Sequence, residues 1–272
     1  MKPKHSYVLG TSPEELARLA LQHKLWRKIA LAAWKKAEFG TGHAILDAGC
    51  GPGYATLELS TLVGSDGEII AVDESEEFLS DLRARLTARK IRNVRVVQEK
   101  LEQLHLPPAC LDGAYIRWVL CYTSHPAQII QKIKRSLKTG GRLLIHDYLH
   151  YLHVEVSPNH PIFETVFRAV DSSFRQRGGN PNIGLELPGI LSKAGFELIE
   201  VNPIVRIAMS GSSLWKWSET FFKNYLRRLE SMGLIDVQQK NSFQEQWSQR
   251  SSMPEAFFVT PPMIEIIATK IK

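Results

Sequence analysis

The sequence predicts an α/β protein built on a doubly wound, mostly parallel β-sheet. Two observations support this prediction. Between residues 40 and 150, five short apolar segments alternate with amphipathic helical segments, a repeat typical of parallel sheets with helices on both faces. The first of these strands also ends in a glycine-rich turn that leads directly into a helical segment. That order of elements forms a cradle for a ligand.

The composition of the chain is that of a globular protein in a reducing compartment. The 272 residues are 44% hydrophobic and 23% charged, and no apolar run approaches the ~20 residues of a membrane-spanning helix. The first residues lack the apolar core of a signal peptide, and the three cysteines form neither a disulfide framework nor a metal-ligand pair. We therefore expect a cytoplasmic protein that binds no metal.

The net charge of +6 admits an acidic ligand or a nucleic acid. The basic residues are, however, scattered over helical segments, as at Arg83, Arg85, Arg89 and Lys90. Such a pattern is typical of a solvated face, so we expect no nucleic-acid partner. The sequence does not define the oligomeric state.

The first 40 residues precede the first strand and are predicted to be helical. Ser12 and Pro13, followed by two acidic residues, are a typical helix start. Apolar residues then recur at nearly helical spacing as far as Trp34, which predicts two helices or one bent helix.

The glycine turn follows the first predicted strand. Gly49, Gly51 and Gly53 stand at alternate positions, and Asp47 lies two residues before the first of them. Glycine lets a ligand approach the main chain, and the next helix directs unpaired N–H groups towards the turn. The dinucleotide fingerprint has the spacing G-x-G-x-x-G, so this spacing disfavours NAD. The alternative is a strand-to-helix turn with no ligand.

This stretch resembles the first motif of the class I S-adenosylmethionine (SAM) dependent methyltransferases, D/E-x-G-x-G-x-G. The resemblance points to small-molecule methyltransferases with domains of types 11 and 25, and it covers residues 40–150 well. It implies a Rossmann-like, seven-stranded sheet and SAM as the cofactor, with S-adenosyl-L-homocysteine as the product. In that family the glycine turn approaches the methionine part of SAM. The resemblance therefore implies cofactor contacts at Asp47, Gly49, Cys50 and Gly51.

The second predicted strand, residues 68–73, ends in Asp73, and Glu74 follows it. A carboxylate at this position can accept hydrogen bonds from both ribose hydroxyls of a nucleoside. We therefore expect Asp73 and Glu74 to contact the ribose of the cofactor. The alternative is that Asp73 only caps the helix that begins near Ser75.

Later motifs of the family imply further cofactor contacts. An acidic residue after the third strand usually meets the adenine amino group, and here Lys100 stands in that position, followed by Leu101. Arg117 and Trp118 belong to the fourth strand and its exit, and they face the crevice outside the carboxyl ends of the parallel strands. The loop after this strand lacks the Asn/Asp-Pro-Pro-Tyr/Phe motif of adenine and glutamine amino-methyltransferases.

The remainder of the chain is predicted to complete the sheet and to add a cap. Residues 138–148 hold a glycine turn and the fifth strand, and residues 196–205 and 263–268 are strand candidates. Because the family ends in an antiparallel hairpin, we assign these candidates as strands six and seven. A helical insert at about 209–254 is expected to form the cap. The predicted domains are a helical lid at 1–40, a SAM-binding core at 41–150 and a segment at 151–272 that completes the sheet.

The N-terminal lid is expected to close over the bound cofactor. The segment around Tyr7 and the later Gln22 are similar to the lid of one broad group of small-molecule methyltransferases. The insert is rich in large aromatic residues, such as Trp215 and Trp217. We therefore expect a buried acceptor pocket between the lid, the insert and the loop after the fourth strand. The alternative is that both additions only pack against the sheet.

Methyl transfer is an in-line displacement in which the protein orients two reactants, and some acceptors also require a general base. His125, His146 and His150 lie near the ends of strands four and five and are candidates for that base, with a structural role as the alternative for each. Cys121 is a weaker candidate for a nucleophile, because the Pro-Cys context of cytosine-C5 methyltransferases is missing. The sequence favours methyl transfer to a small molecule. An RNA or protein methyltransferase and a SAM-binding protein without activity are the alternatives.

Overall fold

The computed structural model describes residues 12–272, which form a large sheet with helices on both faces, a small second sheet and a helical cap. The strands are β1 (Ala44–Ala48), β2 (Glu68–Asp73), β3 (Val94–Gln98), β4 (Leu111–Arg117), β5 (Leu137–Tyr148), β6 (Glu155–Ser157), β7 (Phe196–Ile204), β8 (Ile207–Met209), β9 (Phe257–Val259) and β10 (Met263–Lys270). The α-helices are α1 (Pro13–Lys36), α2 (Tyr54–Val63), α3 (Glu76–Ala88), α4 (Pro126–Ser136), α5 (Pro161–Arg175), α6 (Leu187–Ala194), α7 (Ser213–Ser231) and α8 (Val237–Ser251).

The large sheet has the strand order β3-β2-β1-β4-β5-β10-β7. Its first five strands pair in parallel, and β10 runs antiparallel to both β5 and β7. The winding direction reverses between β1 and β4, where open parallel sheets bind ligands beyond the carboxyl ends of the strands. This topology confirms the predicted doubly wound, seven-stranded and mostly parallel sheet, including its antiparallel end.

The central strands are apolar because both faces of the sheet are covered by helices. In β1, Ile45 packs with Trp34 and Leu59 in the cluster beneath α1 and α2. Its neighbour Leu46 lies on the other face, in the cluster that contains Ile129 of α4. Alternate residues of a strand point to opposite faces. Each fully buried Leu or Ile side chain stabilises the fold by about 1.5–3 kcal/mol, so this strand anchors both layers.

The N-terminal region forms one helix of 24 residues, α1, where the sequence left open two helices or a bent one. The Oγ atom of Ser12 accepts a hydrogen bond from the backbone N–H of Glu15 at 3.3 Å, and Pro13 occupies the first helical position. Further along the helix, Trp26 is buried, and its ring lies 4.7 Å from that of Trp217 in α7. The helix therefore links the sheet to the cap.

The insert after β8 forms a helical hairpin of α7 and α8, as the sequence predicts. Aromatic rings hold the two helices together. Trp215 and Trp247 stack at 4.6 Å between ring centroids, and Phe222 and Phe243 lie 4.9 Å apart. These rings belong to the same apolar cluster as the core of the large sheet. Within residues 12–272, no helix combines the length and the apolar character needed to cross a bilayer.

A small antiparallel sheet of order β6-β9-β8 was not predicted. The sequence pattern of residues 257–262 indicates a connection between the cap and the last strand, whereas Phe257–Val259 is the central strand of this sheet. Each of its strands has only three residues, which is too short for an alternating pattern to be recognised.

Candidate cofactor and acceptor site

The glycine turn between β1 and α2 leaves open space at one of its three glycines. A Cβ atom at Gly49 would lie 2.3 Å from Cγ2 of Val119, and one at Gly53 would lie 2.2 Å from the Leu82 side chain. These two glycines therefore permit close packing. A Cβ atom at Gly51 would meet nothing within 4 Å, although its φ of +53° still favours glycine. Gly51 is the position at which this turn leaves room for a ligand.

Asp73 holds the open part of the turn in place. Its Oδ2 atom accepts a hydrogen bond from the backbone N–H of Gly51 at 2.8 Å, and its Oδ1 atom accepts one from the backbone N–H of Ser75 at 2.9 Å. Ser75 itself caps α3. Burial raises the pKa of Asp73. The carboxylate thus lies beside the open space, where the sequence predicts ribose recognition, and it also fixes the shape of the turn.

Asp47 and Cys50 support the turn through buried contacts. Oδ2 of Asp47 accepts a hydrogen bond from Oγ1 of Thr56 at 2.6 Å, and burial raises the pKa of Asp47 to about 6. The backbone N–H of Cys50 donates to the carbonyl oxygen of Val72 at 3.0 Å, and burial raises the pKa of the Cys50 thiol well above its usual value. Both residues therefore have a structural role at the predicted cofactor site.

The predicted adenine side of the site lies on the loop after β3. Leu101 is buried and begins a short 3-10 turn, Leu101–Gln103. Lys100 and Glu74 are both exposed, and Nζ of Lys100 lies 3.9 Å from Oε2 of Glu74. Lys100, which stands where the family usually has an acidic residue, is therefore paired with Glu74. An exposed pair of this kind adds little stability.

Arg117 lies at the carboxyl end of β4 and extends towards α1. Its Nη2 atom lies 3.2 Å from Nδ1 of His23, and Nε2 of His23 lies 3.3 Å from Oε1 of Glu58. Burial, and then the positive charge of Arg117, lower the pKa of His23 to about 4. Nη1 of Arg117 is buried and has no hydrogen-bond partner among residues 12–272. A buried guanidinium nitrogen of this kind can bind an anionic ligand.

A second feature, the aromatic cavity, opens beyond the carboxyl ends of β4 and β5. It is partly enclosed by side chains and partly open to solvent. Its aromatic wall consists mainly of Trp118, Tyr122, Tyr148, Tyr151, Trp217 and Phe221. These side chains come from the loop after β4, the end of β5 and α7, and α1 closes the remaining side. The cavity therefore lies where the sequence predicts a pocket.

The polar groups contributed by α1 bind both to one another and to the cap. Arg18 donates from Nε and Nη2 to the carboxylate oxygens of Glu15, at 2.7 and 2.6 Å, and both side chains are buried. Nη1 of Arg18 donates to Oε1 of Gln22 at 2.8 Å, and the same oxygen accepts from Nε1 of Trp217 at 3.2 Å. Gln22, a predicted cofactor contact, thus joins α1 to α7. No pattern in the sequence indicates a role for Arg18, because a Glu–Arg pair at this spacing usually lies on a solvated helix face.

Asp147 holds the loop after β4 against β5. Its Oδ2 atom accepts hydrogen bonds from the backbone N–H groups of Val119, Leu120 and Cys121, at 3.3, 2.9 and 3.3 Å. Burial raises the pKa of Asp147 to about 6, although these hydrogen bonds favour its charged form. Burial also raises the pKa of the Cys121 thiol well above its usual value, so this thiol remains protonated at neutral pH. The loop is therefore fixed in position, and Cys121 is unsuited to act as a nucleophile.

The structure does not bring the three candidate histidines to the aromatic cavity. His125 is exposed at the start of α4. His146 is buried between Oη of Tyr115, at 3.2 Å, and Oε2 of Glu265, at 3.0 Å. His150 stacks on a neighbouring histidine ring at 3.9 Å between centroids. His146 and His150 are therefore held by neighbours that do not line the cavity.

Tyr7, the remaining predicted contact, lies outside the described residues. Within the part of the chain that is described, no three His, Cys, Asp or Glu side chains are grouped to hold a metal ion. The site thus combines an open glycine turn, a carboxylate, a buried guanidinium and an adjoining aromatic cavity. Such an arrangement can bind a polar nucleoside-containing molecule beside an apolar ring.

Comparison with known proteins assigns the family of this fold. Residues 40–173 match a family model described as a methyltransferase domain, of type 31, whereas the sequence favoured types 11 and 25. A demethylmenaquinone methyltransferase from Lactococcus lactis is 32% identical over 146 residues, which are 54% of this chain and 54% of that protein. The chain therefore spans about half the length of the curated relatives it matches.

Solved structures share the fold over most of this chain. The YcgJ protein from Bacillus subtilis has a TM-score of 0.57 and 19% sequence identity, with 90% of this chain and 99% of that chain covered. Phosphoethanolamine N-methyltransferase 2 of Haemonchus contortus, in complex with SAM, has a TM-score of 0.54 and 18% identity, with 86% of this chain and 50% of that chain covered. At this level of identity, the likeness shows the fold alone.

Proposed function

Because this chain belongs to the class I SAM-dependent methyltransferases, we propose that it binds SAM at the glycine turn and methylates a small molecule held in the aromatic cavity. The observation that carries this proposal is the position of the cavity. Trp118 lines the cavity and directly follows Arg117, the last residue of β4. The cofactor site and the cavity therefore share the end of one strand, at the edge where parallel sheets bind ligands.

The residues at the turn fit SAM in three respects. Gly51 faces open space, so the cofactor can lie against the backbone. The carboxylate of Asp73 borders that space and has further lone pairs for the ribose hydroxyls. The buried Nη1 atom of Arg117 suits the carboxylate of the methionine part. The proposed contacts also include Asp47, Gly49, Cys50, Glu74, Lys100 and Leu101.

SAM, when bound, supplies a methyl group activated on a sulfonium. The chain itself must orient the acceptor and exclude water. The hydrogen bonds of Gln22 connect α1 with Trp217 of α7, so the lid and the cap close the cavity together. Asp147 fixes the loop that carries Trp118. These contacts set the position of the acceptor before the reaction begins.

The lining of the cavity favours a flat, largely apolar acceptor. Aromatic rings make up most of the wall, and they bind another ring by stacking. No described lining residue is a carboxylate or a histidine, so the described part of the wall offers no general base at neutral pH. Burial raises the pKa of Tyr148 well above its usual value, which keeps its hydroxyl protonated as a hydrogen-bond donor. The acceptor we propose therefore reacts without a protein base, for example through a ring carbon activated by a hydroxyl group that is already ionised when the acceptor binds. The ring carbon would gain the methyl group as the bond from that methyl group to the sulfonium sulfur breaks, and it would then lose its own proton to solvent.

The names of the relatives agree with this class of acceptor. The name of the Lactococcus lactis protein gives demethylmenaquinone as its substrate, and a reduced quinone ring of that kind suits an aromatic wall. All three cysteines are free thiols, which favours a reducing compartment, so we include the cytoplasm in the proposal.

Methyl incorporation from labelled SAM tests the proposed function. The purified chain is incubated with a small-molecule extract that includes reduced quinones and, separately, with RNA and with protein. We expect label in the small-molecule fraction, and less of it with Trp217→Ala, which removes part of the cavity wall. Label in RNA or protein would contradict the proposal. SAM binding without label in any fraction would show a SAM-binding protein that has no methyltransferase activity.

A further inference from the structure

A second cavity, the arginine groove, lies between the end of α5 and the C-terminal half of α7. Its charge comes from Arg177, Arg227 and Arg228, and Asn224 and Tyr225 contribute to the lining. The groove is more open to solvent than the aromatic cavity. None of these residues is part of the methyl-transfer site proposed above.

The positive charge of the arginine groove is not balanced by nearby carboxylates. Within residues 12–272, no Asp or Glu side chain forms an ion pair with any of the three arginines. Asp171 of α5 is paired with another arginine at 2.7 Å, and Glu230 of α7 is paired with a lysine at 2.5 Å. The carboxylates closest in sequence are therefore already engaged. An anion from outside the chain would supply the missing counter-charge.

Two of the guanidinium groups are held near each other by the packing of α5 against α7. Tyr225 is buried, and its Oη atom lies 2.8 Å from Oγ of Ser173, which fixes α7 to α5 beside the groove. Burial, and then the positive charge of Arg177, lower the pKa of Arg228. Like charges in a partly desolvated position repel each other. Binding of an anion between them would relieve this repulsion.

We propose that the arginine groove binds a phosphate-type oxyanion, either as a free anion or as the headgroup of a phospholipid. The planar guanidinium group matches two oxygens of a phosphate at once, and two or more such groups make a strong site. The amide of Asn224 adds a neutral donor on the same helix, and the open shape leaves room for an attached organic group. The site would also adjoin the aromatic cavity. Phe221 of the cavity wall stacks on Tyr225 of the groove, at 5.1 Å between ring centroids.

Calorimetric titration of the full chain with inorganic pyrophosphate, at constant ionic strength, tests the proposal. The variant Arg228→Gln removes the half-buried guanidinium of the groove, and Arg89→Gln removes the same charge from an exposed residue at the end of α3. We expect binding to weaken at least about tenfold in Arg228→Gln and to be unchanged in Arg89→Gln. Arg227 is exposed, so Arg227→Gln keeps the fold and provides a second readout if Arg228→Gln proves unstable.

Sedimentation with vesicles distinguishes the two sources of the anion. Binding to phosphatidic acid vesicles over phosphatidylcholine vesicles, lost in Arg228→Gln and kept in Arg89→Gln, would assign a lipid headgroup. Pyrophosphate binding with the same dependence and no vesicle binding would assign a free anion. Equal losses in both variants, or no binding of either probe, would overturn the proposal. SAM affinity should be unchanged in all of these variants, so a failure here is distinct from a failure of the proposed function.

Discussion

Replacement of Asp73 tests the ribose contact against the structural role of the same carboxylate. Asp73 accepts hydrogen bonds from the backbone N–H groups of Gly51 and Ser75, and Asp73→Ala removes both together with the proposed ribose bonds. A hydrogen bond to a charged group contributes about 1.5–3 kcal/mol, so SAM binding should weaken by about 10- to 150-fold. At the same value for each bond, loss of the two backbone bonds should also lower the free energy of unfolding by about 3–6 kcal/mol. Calorimetry with SAM and urea unfolding measure the two effects separately.

Asp112 provides a matched control near the amino end of β4, at the opposite end of the strands from the proposed site. Its Oδ2 atom accepts a hydrogen bond from the backbone N–H of Ala44 at 2.9 Å, at the start of β1. Asp112→Ala should therefore lower stability without changing the affinity for SAM. Parental SAM affinity in Asp73→Ala would refute the ribose assignment. Equal losses of affinity in both variants would show that reduced stability, and not a lost contact, weakens binding.

Three further predictions follow from the site. Gly51→Val fills the open space of the turn, so SAM affinity should fall at least about tenfold in a folded protein. An unchanged affinity in calorimetry would show that the ligand does not approach this residue. Asp47→Asn should raise the free energy of unfolding at pH 7 by up to about 3 kcal/mol, because burial raises the pKa of Asp47 from 3.8 to about 6. The folded protein binds the Asp47 proton more tightly than the unfolded chain does, so the gain in stability should disappear as the pH falls from about 6 to 4. A gain in stability that does not depend on pH in urea unfolding would contradict the raised pKa of Asp47. Trp217→Ala should raise the KM for the acceptor while SAM affinity stays constant, and steady-state kinetics with an unchanged KM would exclude this ring from the acceptor site.

Features that depend on neighbours in sequence were predictable. The helix start at Ser12 and Pro13 is local, and both residues occupy the expected positions. The strand that ends at Asp73 and the helix of the insert that begins at Ser213 likewise have periodic patterns over several residues. The alternation of strands and helices then leaves few topologies, because parallel crossovers are right-handed and short. For this reason the doubly wound, parallel part of the large sheet was predictable from the sequence, whereas its antiparallel end was implied by the family resemblance.

Features that depend on distant segments were not predictable. Arg117 meets His23 across 94 positions, and Trp217 meets Gln22 across 195, so neither contact leaves a pattern in the sequence. The role of Asp73 in fixing the turn was also missed, because its contact with Gly51 depends on the exact position of β2 beside β1. The sequence can identify residues of the right chemistry at the right edge of the sheet. It cannot show which of these residues already have hydrogen-bond or ion-pair partners in the tertiary structure.

The proposed function depends on SAM binding at the glycine turn, at Gly51 and Asp73. Titration calorimetry of the full chain with SAM, with S-adenosyl-L-homocysteine and with NAD measures this binding. We expect one site per chain for SAM and its demethylated product, with NAD binding at least about a hundredfold weaker. Tight binding of NAD together with no binding of SAM or S-adenosyl-L-homocysteine would contradict the proposed function.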